Sequence, residues 1–106
     1  MKYALIFALA LLGVPLVAAD TDKAPTVTIS NFAYSPDPLT ITQGQSVRFV
    51  NQDDVGHTVT DDGGTFDSKV IEKNKSWTYK FDKAGTYKYT CTIHPSMHGM
   101  ITVSSP

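Results

Sequence analysis

The sequence predicts an all-β protein, a Greek-key two-sheet β-sandwich or barrel, and three of its features carry that expectation. Apolar residues recur with period two along short segments, turn-forming clusters separate those segments, and no stretch holds an uninterrupted helical period. About seven short strands at this spacing, without internal repeats or low-complexity tracts, suit two sheets packed around one core.

The strands follow in order. Val27 and Ile29 alternate with threonines and Ser30, Leu39 and Ile41 with Thr40 and Thr42, and Val47 and Phe49 with Ser46 and Arg48. Successive side chains of a strand point to opposite faces, so each run buries one face and leaves the other in water. Trp77, Tyr79 and Phe81 share a face opposite Thr78, Lys80 and Asp82, and this aromatic stripe is expected to be core. Tyr87 and Tyr89 alternate with Lys88 and Thr90, and a last strand covers Ile101 and Val103. Turn chemistry divides the runs: SPDP at 35–38, QGQ at 43–45, DDGG at 61–64, EKNK at 72–75 and DKAG at 82–85.

Ahead of the strands, Lys2 precedes an unbroken apolar run from Tyr3 to Ala19 that ends in Val17-Ala18-Ala19. This is the form of a secretory signal peptide, so residues 1–19 are expected to be cleaved and residues 20–106 to be a single exported, periplasmic domain. The run is short for a membrane span and contains Gly13 and Pro15, and no cysteine lies near the cut to carry a lipid. Without Lys2, eight basic residues face ten acids, a net charge of about −2 that offers no basic field for nucleic acid.

Cys91 is the chain's only cysteine, so it cannot be an internal staple. Taken alone it suits an inert buried thiol or an intermolecular disulfide. Its context is the stretch CTIHPSMHGM, which also holds His94, Met97, His98 and Met100. Strand phase adds a further residue. Cys91 is in phase with Tyr87 and Tyr89, and His57 is in phase with Val59 within GHTVT, so both are expected to point inward from the ends of neighbouring strands. A histidine so placed can be an ordinary core residue, but beside an unpaired inward cysteine it becomes a candidate ligand.

The candidate metal ligands are therefore His57, Cys91, His94 and Met97, the last three in the spacing CxxHxxM. Two imidazoles and a thiolate, with a weak axial thioether, describe a mononuclear blue-copper site. Such a set suits neither Cu(I) nor Cu(II) fully, so little has to rearrange when an electron moves. Zinc is the competing metal, although structural zinc sites usually use several cysteines and rarely a methionine.

At these residues the chain resembles the cupredoxin family. The matching stretches are VRFVNQDDVGHTVT around the first histidine and AGTYKYTCTIHPSMHGMITV around the other ligands, and the likeness runs over the whole segment after residue 19. The short CxxHxxM loop is similar to the amicyanin form. A plastocyanin-like loop would put the methionine at Gly99, which cannot ligate.

The resemblance implies a soluble monomer with one type 1 copper ion that shuttles single electrons between transient redox protein partners, such as a dehydrogenase donor and a c-type cytochrome acceptor. His57 would be the buried imidazole, Cys91 the strongest electronic link to the metal, and His94 the exposed imidazole through which electrons pass. Asn51 and Thr58 would tie the two ligand loops together. Ile93 stands where amicyanin-like loops often have proline, and its NH is expected to donate to the Cys91 sulfur. Met100 is out of phase with Ile101 and Val103 and is expected to be packing, and His98 a solvent-facing neighbour. The acidic pairs Asp53/Asp54 and Asp61/Asp62 flank the first ligand without an assigned task.

Three other classes fit the sequence less well. A periplasmic copper-binding or delivery protein would use the same ligands, but such proteins usually carry exposed Met- or His-rich tracts, absent here. A copper enzyme needs further centres, and His57, His94 and His98 are all the histidines available, so no enzymatic activity is expected. An adhesion-type sandwich without metal leaves the clustering of Cys91, His94 and Met97 unexplained.

Overall fold

The period-two segments become the strands of two sheets in a computed structural model that describes residues 24–106. The expected leader, residues 1–19, lies outside the described residues. The strands are β1 (Thr26–Ser30), β2 (Ala33–Ser35), β3 (Leu39–Thr42), β4 (Ser46–Asn51), β5 (Thr60–Asp61), β6 (Ser76–Lys80), β7 (Gly85–Thr90) and β8 (His98–Ser104). One sheet has the order β2-β1-β4-β6 and the other β3-β8-β7-β5. No helix occurs among the described residues.

The sheets are mixed. β1 runs parallel to β4 with Val27 beside Phe49, and β3 runs parallel to β8 with Leu39 beside Ile101. β4 with β6, and β7 with β8, are antiparallel. Val27, Ile29, Val47, Phe49 and Ile101 are fully buried between the sheets, as their period-two phase requires. The all-β sandwich expected from the sequence is therefore the fold observed. β2 and β5 have three and two residues, too few for an alternation to register in the sequence.

The aromatic stripe is only partly interior. Phe81 is buried, but Trp77 and Tyr79 are half-buried on β6, an edge strand, and stack on each other with ring centroids 5.5 Å apart. Phe66, from the segment after β5, packs against Trp77, Tyr79, Phe81 and Tyr87. It closes the side of the sandwich where β6 ends one sheet and β5 the other. At the start of β7, the Tyr87 hydroxyl donates to the Lys83 carbonyl at 2.7 Å and pins the Asp82–Gly85 turn.

Tyr89 is fully buried and lies opposite Gly99 in the β7–β8 ladder. A Cβ at Gly99 would overlap the Tyr89 ring, so the absent side chain at 99 is what lets the ring cross beneath β8. Gly99→Ala is expected to lower stability by about 1–3 kcal/mol through overpacking, measured by chemical denaturation. A variant as stable as the parent would show that the ring has room to move aside.

Candidate metal centre

The candidate ligands converge at one end of the sandwich. β5 pairs antiparallel with β7, with Thr60 opposite Thr90, and this pairing lays the preceding residues His57–Val59 beside the end of β7, where Cys91 follows Thr90. His57 and Val59 are both fully buried, and so is Cys91, in agreement with the strand-phase expectation. His57 lies outside the named strands and is held by an isolated bridge to Ile71, whose amide donates to the His57 carbonyl at 2.7 Å while the His57 amide donates back at 3.2 Å.

After Cys91 the chain turns tightly. The Met97 amide donates to the His94 carbonyl at 2.9 Å and the Cys91 amide to the Met97 carbonyl at 3.1 Å, closing a loop that brings His94 and buried Met97 back beside the cysteine. His94 is partly exposed. Gly99 and Ile101 are buried on β8 while Met100 is only half-buried, as its opposite phase demands, and the Met100 amide donates to Asp37 Oδ1 at 2.9 Å. His98 is exposed. Its Nδ1 lies 3.1 Å from Thr90 Oγ1, which donates to Asp62 Oδ1 at 2.7 Å.

Three donor atoms form a small triangle. His57 Nδ1 is 3.8 Å from Cys91 Sγ, His94 Nδ1 is 3.9 Å from the same sulfur, and the two nitrogens are 3.2 Å apart. A point equidistant from these corners lies about 2.1 Å from each, the reach of nitrogen and sulfur ligands to a first-row metal ion. Distance alone does not separate zinc from copper. The donor types do: two imidazoles, one sulfur and a buried methionine alongside suit copper.

The neighbours of His57 prepare its Nδ1 for this role. Its Nε2 lies 2.8 Å from Asp53 Oδ2, and an ionised carboxylate can only accept, so the Nε2 proton is fixed there and the Nδ1 lone pair faces inward. Burial alone would raise the Asp53 carboxyl; the Phe32 amide, then the His57 ring and the Asn31 amide, outweigh it and hold the group below the usual carboxylate range. Sequence reasoning noted Asp53 only as part of an acidic pair. The pairs divide by orientation: Asp53 turns in to His57 while Asp54 meets Lys73 at the surface, and Asp61 is buried on the Thr65 amide while Asp62 accepts from Thr90.

Thr58 ties the two ligand segments together as expected. Its amide donates to Cys91 Sγ at 3.4 Å, and its hydroxyl oxygen accepts the Thr92 amide at 2.9 Å. Asn51 does not: its side chain donates to the Val55 and Ile71 carbonyls and accepts the Asp53 amide, so it shapes the loop leading to His57 without reaching the cysteine loop. The expectation for Ile93 is also corrected. The amides that reach the sulfur are those of Thr58 and His94, both at 3.4 Å, because the turn after Cys91 aims the third following amide back at the side chain. Ile93 projects outward, 46% exposed.

Two aromatic neighbours escaped the sequence. Tyr34, on β2, donates its hydroxyl to the Thr58 carbonyl; burial, then the nearness of Cys91 and Tyr89, pushes its pKa well above that of a free phenol, so it stays protonated and a donor. Phe32 lies perpendicular to both imidazoles, with centroids 5.0 Å from His57 and 4.8 Å from His94.

Comparison with known proteins agrees with this geometry. The family model of the cupredoxin-like domain matches residues 2–103. Amicyanin of Paracoccus versutus is 33% identical over 95 residues, covering 84% of this chain and 72% of that protein. Plastocyanin of Dryopteris crassirhizoma is 30% identical over 93 residues, covering 71% of this chain and 91% of that protein. Among solved structures, a single-residue mutant of amicyanin in its reduced Cu(I) form at pH 4 superposes with a TM-score of 0.74 at 31% identity, covering 78% of this chain and 84% of that one. The chain belongs to the cupredoxin-like family.

Removing the Thr58 hydroxyl while keeping the side chain's shape isolates the tie between the loops. Thr58→Val is expected to destabilise the metal-free protein by about 1–3 kcal/mol, because the Thr92 amide loses its acceptor. Equilibrium unfolding of the metal-free variant measures it, and an unchanged midpoint would remove Thr58 from the account of the site.

Proposed function

We propose that this chain is an exported type 1 copper protein that passes single electrons between redox proteins, with His57, Cys91, His94 and Met97 as the metal's ligands. The observation that carries the reading is the triangle of His57 Nδ1, Cys91 Sγ and His94 Nδ1, whose centre matches ligand-to-metal reach. The likeness to amicyanin, solved in a Cu(I) form, and to plastocyanin supports copper as the occupant.

Copper bound here supplies a one-electron couple between Cu(I) and Cu(II). The polypeptide supplies the rest. Buried His57, Cys91 and Met97 keep water from the centre, and the Thr58 and His94 amides withdraw electron density from the sulfur, which favours the reduced state and raises the reduction potential. Partly exposed His94 is the route to the surface. Beside it stand Phe32, whose ring packs against His94, and its chain neighbour Ile93, two of the four exposed large hydrophobic residues among the described residues, an apolar area suited to brief, weak encounters. A dehydrogenase donor and a c-type cytochrome acceptor are the partner classes proposed. Burial of the ligands also weighs against a copper-delivery role, which requires a labile ion.

The purified protein is expected to give an intense blue band with Cu(II) that bleaches on reduction and is missing from Cys91→Ser. Met97→Ala should shift both the spectrum and the potential, and Met100→Ala should leave them unchanged. A pale or rapidly lost copper complex would overturn the electron-transfer reading, and a Met100→Ala variant with the larger shift would reassign the axial ligand.

A further inference from the structure

We propose that Asp53 and Phe32 form one device that positions the two imidazoles: the Asp53 carboxylate holds a left-handed turn that lays the Phe32 ring across His57 and His94. Phe32 is thus a positioning residue of the centre. The consequence for bound copper rests on the function proposed above; the geometry belongs to the polypeptide alone.

Asn31 and Phe32 are the central residues of the hairpin joining β1 to β2, with φ of 54° and 59°. A hairpin turn with both central residues left-handed suits Asn at the first position and Gly at the second. Phenylalanine there is strained, because its Cβ crowds the backbone carbonyl oxygen, and such strain persists only where the surroundings impose it. Asp53 imposes it from a different loop. Its Oδ1 accepts the Asn31 amide at 2.7 Å, and its Oδ2 accepts both the Phe32 amide at 2.9 Å and His57 Nε2–H at 2.8 Å. One carboxylate therefore sets the turn and the tautomer of the buried ligand.

Glycine at 32 would make the same turn without strain. What phenylalanine adds is its ring, at 82° to His57 and 87° to His94 with centroids 4.8–5.0 Å away, while the ring side that faces solvent leaves the residue 50% exposed. His57 is already locked by burial and by Asp53. His94 is not: it lies on a loop and is partly exposed, so the ring against it limits its rotation out of the triangle and keeps water from the gap between the imidazoles.

The test begins with the metal-free protein. Nuclear Overhauser contacts between the Phe32 ring and the His94 ring are expected in the parent and lost in Asp53→Asn, since an amide side chain cannot accept three donors at once. Exchange of His57 Nε2–H with water should be about tenfold faster in that variant. In the copper-loaded protein, Phe32→Leu and Phe32→Gly should both release copper to a chelator roughly tenfold faster than the parent, with the blue band retained. Phe32→Gly relieves the turn's strain, so its faster release isolates the ring's contribution and covers the case in which Asp53→Asn does not fold. Retained Phe32–His94 contacts in Asp53→Asn overturn the clamp, and parental release rates in both Phe32 variants overturn the positioning role. A parent without a blue band would count against the proposed function alone, because the metal-free measurements stand independently of it.

Discussion

Thr58 is bonded to the cysteine segment through both its amide, to Cys91 Sγ, and its hydroxyl, to the amide and hydroxyl of Thr92, and the rest of the centre depends on that tie. The bonds that join the two segments span 33 and 34 residues of sequence. Bringing them together has a loop-closure cost that the centre's own bonds do not have to meet, because the β5–β7 pairing and the packing of the sheets have already closed the loop. Tyr34 reinforces the tie from the opposite sheet through the Thr58 carbonyl. The sulfur is thereby held with two amides aimed at it, and the imidazoles are placed around a position already defined.

That arrangement explains why one short loop can carry three candidate ligands. The Cys91–Met97 segment has no strand pairing of its own. It is fixed by two internal main-chain bonds and by entering from β7 and leaving into β8, neighbouring antiparallel strands of one sheet. A loop anchored at both ends by adjacent strands has few ways to move. His94 keeps more freedom than the others, and the structure compensates by placing Phe32 against it.

Much of this was legible in the sequence, for a physical reason. Burial in a strand has period two, so Val59 reports on His57 and Tyr89 on Cys91, and the same rule separates Met100 from the core. Side-chain and turn geometry has no such period. The hydrogen bond from His57 to Asp53 depends on a loop conformation, the amide that reaches the sulfur depends on a turn that aims His94 rather than Ile93, and Asn51 bonds where its own loop folds back. Phe32 was hidden for a different reason: nothing in the composition of an Asn-Phe hairpin signals a left-handed conformation usually reserved for glycine. The strong alternation of Trp77 and Tyr79 points to the core, but alternation does not distinguish an edge strand from a central one.

The central claim is that the fold sets the donor positions before a metal arrives. It is tested most directly by crystal structures of the metal-free and copper-loaded protein superposed on the two sheets. The expected result is that the main chain of His57, Cys91, His94 and Met97 coincides to within about 0.5 Å, with any difference confined to the His94 ring. A Cys91–Met97 loop that is rearranged or disordered without copper would contradict it, and would mean that the metal builds the site instead of entering it.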